Sequence, residues 1–198
     1  MLLAWRFPAL SAVGIEAQAV SVDLAGRSLA WNGIDGRGRV VAGDLRDATV
    51  LPAGSRFDLV TGTPPYLRPG AATASTRVQR GPCHIGYRGG IEEYCVAAAR
   101  WMTAGAPFVV CEAAALARVE RAAMDAGLTI ARRLDVVPRA GKPALFSVYA
   151  LRRRPGEMPS AIDAPLVVRD AAGDWTEAFR RVRRDMGMPP APPGGPES

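Results

Sequence analysis

The stretch DLVTGTPPYLRPG, residues 58–70, places a polar residue, two prolines and an aromatic residue directly after a short apolar run. These four residues are Thr63, Pro64, Pro65 and Tyr66. The prolines fix φ and remove two backbone donors, so they stiffen the turn and its carbonyl groups. The tyrosine offers a face on which a flat base or amide can stack. The tetrad could therefore hold a planar amino group, although a rigid turn or a polyproline ligand uses the same residue types.

Two acids occupy comparable places, each at the end of a predicted strand. Glu16 ends the run ALSAVGIE (9–16), and Asp44 ends GRVVAGD (38–44). Ligands of open α/β sheets bind at the carboxyl ends of the strands, so we expect both acids and the tetrad at one edge. An acid in such a place can also be a solvated cap or an exposed turn residue, which leaves a purely structural role open.

Apolar runs that alternate with helical patterns would position these residues. The predicted strands cover 9–16, 38–44, 56–62 and 106–112, followed by LTIARRLDVVP and ALFSVYALRRR, which the hairpin signal RAGK joins. The predicted helices cover 17–33, 90–105 and 113–127. This alternation indicates the α/β class with a doubly wound, mostly parallel sheet. The terminal hairpin would add an antiparallel edge strand.

Composition divides the chain into a core over 1–154, an extension over 155–187 and a tail over 188–198. The extension starts with a linker rich in proline and small residues. It continues as PLVVRDAAGDWTEAFRRVRRDMG, which predicts an extended piece, a turn and an amphipathic helix. The tail, MPPAPPGGPES, has the composition of a disordered segment.

The overall composition is that of a globular protein, with 48% hydrophobic residues and a net charge of +6. No apolar stretch of about 18 residues and no signal peptide are recognised, so we expect a cytoplasmic protein that does not span a membrane. The cysteines Cys83, Cys95 and Cys111 form no CxxC pair, so neither a disulfide framework nor a metal site is expected. The positive charge fits an anionic partner such as RNA, or simply an arginine-rich genome.

The order of the strand-end acids and the tetrad resembles that of class I S-adenosylmethionine-dependent methyltransferases, whose amino-methylating branch carries an (Asn/Asp/Ser)-Pro-Pro-(Tyr/Phe/Trp) motif. The resemblance covers roughly residues 2–187. It implies a Rossmann-like methyltransferase fold with S-adenosylmethionine as the methyl donor. It also implies that Glu16 binds both ribose hydroxyls of the donor, and that Asp44 and the following Leu45 lie near its adenine.

The tetrad has a specific task in this group. An amino nitrogen conjugated to a ring or a carbonyl is a poor nucleophile because its lone pair is delocalised. Thr63 and a backbone carbonyl of the turn can accept hydrogen bonds from the NH2 group and orient the lone pair toward the donor. The adenine and glutamine branches normally begin the tetrad with Asn or Asp. A threonine accepts only with its hydroxyl, so we expect slower amino methylation.

The segments YLRPG and VVRDAAGDWTEAF look more like the bacterial tRNA adenine-N6 methyltransferases than the release-factor glutamine methyltransferases. The resemblance therefore implies a tRNA substrate. Candidate contacts to it are the loop arginines Arg68, Arg77, Arg80 and Arg88, which would otherwise form a solvated loop. The late arginines fit a solvated helix face better: Arg180, Arg181, Arg183 and Arg184. The alternatives are a protein glutamine N5-methyltransferase and a non-catalytic RNA-binding homologue.

The chain opens with MLLAWRFP, which resembles the helix that follows the first strand and its acidic-x-Gly-x-Gly loop in this group. The resemblance therefore implies that the first strand and the glycine-rich cofactor loop are missing, which would impair activity. Gly36 and Gly38 form a G-x-G before the third strand of that order and do not replace the loop. That first strand is normally central, so a strand edge would stay exposed or another segment would fill the gap.

Overall fold

The computed structural model describes residues 2–65, 89–113, 115–153 and 160–189. In chain order the elements are α1 (Leu2–Arg6), β1 (Ala12–Glu16), α2 (Ala19–Trp31), β2 (Gly38–Ala42), β3 (Val60–Gly62), α3 (Ile91–Trp101), β4 (Phe108–Glu112), α4 (Leu116–Asp125), β5 (Leu128–Arg139), β6 (Phe146–Arg153), β7 (Ala161–Ile162), β8 (Leu166–Arg169) and α5 (Glu177–Asp185). Within these ranges no helix combines the length and the apolar character needed to cross a bilayer.

Several predicted features lie outside these ranges. They are Tyr66, the loop arginines Arg68, Arg77, Arg80 and Arg88, part of the linker (154–159), and most of the tail (190–198).

The described strands form two sheets. One contains β1 and β2, which pair in parallel. The other has the order β3-β4-β6-β5-β7, with β8 also paired to β5. β3 is parallel to β4, and β7 and β8 are parallel to β5, whereas β6 is antiparallel to both of its neighbours. This confirms the mostly parallel α/β sheet with a C-terminal antiparallel hairpin.

The expectation that the hairpin supplies an edge strand is wrong. β6 lies between β4 and β5, and its side chains Tyr149 and Leu151 are buried. The outer side of β5 pairs with β7 and β8, which come from the C-terminal extension. The extension therefore covers the edge that the hairpin would otherwise expose.

The main core lies between helices α3 and α4 and one face of the larger sheet. Alternate residues of β4 point to this face, so Phe108 and Val110 are both buried there. Cys95 of α3 and Val119 of α4 pack against them. Burial of each large apolar side chain contributes about 1.5–3 kcal/mol, so this layer anchors the carboxyl ends of β3 and β4.

A smaller apolar cluster joins the two sheets. Leu51, Ala97 and Trp101 are buried in it, and Ile15 of β1 and Phe57 pack against them. Within the described ranges β1 pairs only with β2, and β3 pairs only with β4. In the described part of the chain, β1 and β3 therefore each have one bonded neighbour.

The buried strand predicted over 56–62 is wrong in length and burial. β3 spans only Val60–Gly62, Val60 is half-buried, and Thr61 is exposed. Its single bonded neighbour in the described structure explains both differences, because a strand without a second neighbour gains less burial and fewer ladder hydrogen bonds.

The ends of two helices show how local signals and long-range contacts compete. α2 ends at the predicted Asn32-Gly33 stop. α3 ends at Trp101, four residues before the predicted stop at Gly105. The chain becomes extended at Met102 because Phe57 donates from its backbone N to Trp101 O (2.8 Å) and accepts from Thr103 N (3.0 Å).

The C-terminal extension folds back onto the start of the chain. Thr176 caps α5 by accepting a hydrogen bond from Phe179 N at 3.2 Å. At the far end of α5, Arg6 Nε donates to Asp185 O at 2.6 Å. Two of the four helix arginines have internal contacts, since Arg183 lies over the ring of Trp175 (4.3 Å) and Arg184 pairs with Glu177.

Candidate active site

A cavity of about 250 Å³ lies at the carboxyl ends of β1, β2 and β3. Its lining residues are Ile15, Glu16, Ala17, Gln18, Gly43, Asp44, Leu45, Thr63, Pro65, Gly89 and Tyr94. Both predicted strand-end acids and two residues of the tetrad therefore meet in one place. β1 and β2 are parallel, so their carboxyl ends lie along one edge, and the cavity brings the residues after β3 beside them.

Glu16 is the last residue of β1 and is half-buried. Its Oε1 accepts a hydrogen bond from Gln18 N at 2.8 Å, which holds the carboxylate at the entrance to α2. No second hydrogen bond to this carboxylate comes from the described part of the chain, so Oε2 is available to a ligand hydroxyl.

Asp44 lies two residues beyond β2, and its carboxylate is already engaged by Arg46. Oδ1 accepts from the backbone N and from Nε of Arg46, both at 2.9 Å, and Oδ2 accepts from Nη2 at 2.6 Å. Hydrogen bonding to Asp44 raises the pKa of the Arg46 guanidinium above its ordinary value. A ligand amino group at Asp44 would therefore share the carboxylate with Arg46, a constraint that the sequence did not reveal.

The described part of the tetrad follows β3 directly. Pro64 is fully buried, Pro65 is half-buried in the cavity wall, and Thr63 is exposed beside it. A buried proline with fixed φ anchors the turn, so the backbone carbonyls on either side keep their direction. This places the hydroxyl of Thr63 on a rigid support.

Tyr94 is a cavity residue that sequence reasoning missed. It lies in the first turn of α3, and its ring packs against the backbone of Gly62. The same helix start is held by Glu93, whose Oε2 accepts from Gly90 N at 2.7 Å. A usable signal existed, because the Gly-Gly pair before IEEY predicts a helix N-terminus at the edge where ligands bind.

A bidentate ion pair supports the helix behind the cavity. Arg118 of α4 donates from Nε and Nη2 to the two carboxylate oxygens of Glu92, at 2.7 and 2.8 Å. The hydrogen bonds raise the pKa of Arg118. Both residues also line a second cavity of about 250 Å³ between α3 and α4, where their charges neutralise each other.

The glycines of the G-x-G, Gly36 and Gly38, are not among the described residues that line this cavity. Gly38 begins β2 and packs against Leu29 and Ile34, so its role is structural. That the G-x-G of Gly36 and Gly38 does not replace the cofactor loop stays a prediction. Among the described residues there is no group of three or more His, Cys, Asp or Glu side chains suited to a metal ion.

Among the described lining residues, Glu16 and Asp44 carry carboxylates and none is a lysine or an arginine. Arg46, which lies outside the lining, pairs with Asp44, so Glu16 is the acid whose charge is not shared with an arginine. Such a site favours a ligand that offers hydroxyl or amino donors. The apolar side chains of Ile15 and Leu45 complete the lining beside the two acids.

Comparison with known proteins concerns the fold. No protein-family model matches the chain, and no curated protein matches it. A solved structure described as a predicted O-methyltransferase from Agrobacterium tumefaciens superposes with a TM-score of 0.67 at 17% identity, covering 94% of this chain and 83% of its own. An O-methyltransferase family protein from Burkholderia thailandensis superposes with a TM-score of 0.51 at 15% identity, covering 78% and 47%.

The chain thus spans less than half of the Burkholderia protein. At identities this low the likeness concerns the fold and not the substrate. The larger sheet, the helices on it and the cavity at the carboxyl ends of the strands agree with that likeness. The chain has the Rossmann-like α/β fold of the class I methyltransferases.

Proposed function

We propose that the chain binds S-adenosylmethionine in this cavity and methylates an exocyclic amino group, adenine N6 in tRNA. The observation that carries the proposal is the meeting of Glu16, Asp44 and the Thr63-Pro64-Pro65 turn in one cavity. Each comes from the end of a different strand.

The residues present fit the nucleoside part of the donor. One carboxylate oxygen of Glu16 has no hydrogen bond from the described residues and can accept from the ribose hydroxyls, and Leu45 and Ile15 offer apolar contacts to the adenine. The bound donor would supply a methyl group activated on a sulfonium. The carboxylate of Glu16 favours that positive charge, whereas the carboxylate of Asp44 is already paired with Arg46.

The turn after β3 fits an amino acceptor. The Thr63 hydroxyl and a carbonyl of the turn would accept hydrogen bonds from the NH2 group, which directs its lone pair toward the methyl group. Pro64 and Pro65 lack backbone N–H groups, so neither donates a hydrogen bond to the carbonyl groups of the turn in competition with the substrate NH2 group. The burial of Pro64 holds this arrangement in place.

An anionic acceptor is supported by the chain between two cavity residues. Pro65 and Gly89 both line the cavity, and the 23 residues between them include four arginines and no acid. Those arginines, Arg68, Arg77, Arg80 and Arg88, lie outside the described ranges. Their charge favours a polyanion over a neutral metabolite or an uncharged peptide amide.

The substrate class can be tested by offering labelled S-adenosylmethionine with three acceptors: unmodified tRNA transcripts, a release factor, and a small aromatic hydroxyl compound. We expect transfer to tRNA and loss of most of it in Thr63→Val, which removes the hydroxyl at nearly constant volume. Thr61→Val is the matched control, because Thr61 is exposed on β3, two residues before Thr63, and is not among the described residues that line the cavity.

The outcomes separate the alternatives. Transfer to the release factor alone would favour glutamine methylation, and transfer to the hydroxyl compound alone would favour the O-methylation named for the two similar structures. No transfer with retained RNA binding would indicate a non-catalytic RNA-binding homologue.

The donor site can be tested without any acceptor. Calorimetry should show that Glu16→Gln weakens S-adenosylmethionine binding about 10- to 100-fold, the size expected for losing hydrogen bonds to a charged group. Asp35→Asn is a control of equal charge change at an exposed turn outside the cavity. Equal affinities of wild type and Glu16→Gln would exclude the ribose role.

A further inference from the structure

We propose that the tip of the β5–β6 hairpin, residues 139–142, contacts the phosphate backbone of an RNA substrate. The inference rests on the proposed function, because it extends the acceptor surface from the cavity along the same edge of the sheet. The tip is defined by Arg139, Ala140, Gly141 and Lys142.

The backbone holds the two cations of the tip close together. Lys142 N donates to Arg139 O at 3.0 Å, and Gly141 has φ 78° at the third position of this turn. A turn of this kind brings its first and fourth Cα atoms within about 7 Å. Arg139 and Lys142 are both exposed. Two like charges are therefore held near each other at the end of the hairpin.

Neither cation is neutralised within the described chain. The ion pairs there involve other residues and leave Arg139 and Lys142 unpaired. By contrast, Arg132 pairs with Asp163 and Arg133 pairs with Asp135 lower on the same hairpin. Arg132 and Arg133 thus form ion pairs within the protein, whereas Arg139 and Lys142 can bind an external anion.

A third arginine and two acids lie beside the tip. Arg169 of β8 is the Cα partner of Arg139, and Ala140 N donates to Arg169 O at 2.8 Å. The Arg169 guanidinium donates from Nη1 to Gly173 O at 2.5 Å. The acids of this next turn are Asp170 and Asp174, and Asp170 Oδ1 accepts from Asp174 N at 3.0 Å. Because Arg169 is held by Gly173, the charges offered to a phosphate here are those of Arg139 and Lys142.

The topology places the tip at the edge where the cavity lies. β6 is antiparallel to both β4 and β5, so the end of β5 lies on the same edge as the ends of β3 and β4. Three strand spacings, about 14 Å, separate β5 from β3. The tip also extends beyond the end of β4, because Asp135 lies level with Glu112 and β5 continues from there to Arg139. Thr63 follows β3 at that edge. An acceptor that touches both Thr63 and the tip must be extended, because the two are far apart. It must also be anionic where it meets the cations of the tip, and a nucleic acid strand has both properties.

The test is RNA binding, measured by fluorescence anisotropy with a labelled, unmodified tRNA transcript between about 50 and 200 mM salt. The test variant is Arg139→Ala/Lys142→Ala. The control is Arg180→Ala/Arg181→Ala, which removes the same charge from exposed positions of α5. We expect the test variant to bind at least tenfold more weakly at low salt. The slope of log affinity against log salt should also fall by about 1–2 in magnitude.

A charge-conserving variant and thermal melts keep the result interpretable. Arg139→Lys/Lys142→Arg should bind within about threefold of wild type, since phosphate contacts need charge more than shape. Equal melting curves of all variants would show that folding is unaffected. Equal losses in the tip and α5 variants, or no loss at the tip, would overturn the inference.

The same samples distinguish this inference from the proposed function. If wild type binds S-adenosylmethionine but not the transcript, the tip inference fails while donor binding stands. If wild type binds the transcript through the tip but transfers no methyl group to any acceptor, the tip inference stands and the proposed function fails.

Discussion

The ring of Tyr94 occupies the space where a side chain at residue 62 would lie. A β-carbon on Gly62 would come within 2.7 Å of Tyr94 Cδ1 and 3.1 Å of Cε1, and within 3.3 Å of Phe108 Cε2. Only glycine permits this approach, and Thr63 follows it directly. Helix α3 therefore supports the backbone from which the candidate catalytic turn starts.

Substituting Gly62 by alanine should destabilise the fold by about 1–3 kcal/mol, the usual cost of overpacking, and reduce methyl transfer by displacing Thr63. Urea unfolding and kcat together measure this. Gly26→Ala is the matched control, because nothing lies within 4 Å of a β-carbon there and Gly26 is inside α2, so a small gain is expected.

The double variant Gly62→Ala/Tyr94→Ala identifies the cause. If the clash with the ring is responsible, adding the methyl group after removing the ring should cost less than it does alone. If the losses in the free energy of unfolding of the two single variants simply add in the double variant, the clash with the ring is not the cause.

Substituting Thr63 by asparagine should raise turnover several-fold. The amide carbonyl reaches further than the hydroxyl and leaves its acceptor lone pairs free for the substrate NH2 group. Steady-state rates with the tRNA transcript measure the change. Thr61→Asn, at an exposed position of β3, should leave the rate unaltered. An unchanged or lower rate for Thr63→Asn would count against the assigned role.

The pH dependence of stability should report the contact between Ser147 and Asp135. Ser147 Oγ donates to Asp135 Oδ1 at 2.5 Å, and this hydrogen bond, followed by that from Arg133, lowers the pKa of Asp135. Because the pKa of Asp135 is lower in the folded than in the unfolded protein, its ionised carboxylate stabilises the fold. This stabilisation is complete above the pKa of the unfolded state, about 3.9, and is lost as the pH falls through the pKa of the folded state.

Ser147→Ala should therefore lower the free energy of unfolding by about 1–2 kcal/mol at pH 7 and by less at pH 3. Urea titrations at both pH values check this. A difference from wild type that is the same at both pH values would show that packing, and not the ionised carboxylate, explains the loss.

Cys95 should be inert toward thiol reagents while the protein is folded. Burial, followed by the nearby charges of Glu92 and Glu112, raises the pKa of this thiol to about 12. At pH 8 it stays protonated and unreactive. Peptide mapping after treatment with a disulfide reagent should show Cys95 modified only in urea. Half-buried Cys111 serves as the internal comparison and should react earlier.

The fold class and the position of the candidate site could be predicted from the sequence, as the likeness to methyltransferase structures and the cavity show. Glu16 and Asp44 were placed beside Thr63 because parallel strands end at one edge, a rule that needs only the order of the elements. The roles of these residues stay predictions, as do those of Leu45 and Tyr66.

The amino-acid sequence by itself determined the alternation of strands and helices, and hence the edge at which the candidate site lies. Tertiary structure decided the rest: the ring of Tyr94 under Gly62, the engagement of Asp44 by Arg46, and the place of β6 inside the sheet. The physical reason is that periodicity and turn residues report each segment's own backbone preference. Contacts between distant segments depend on which surfaces those segments bury against each other.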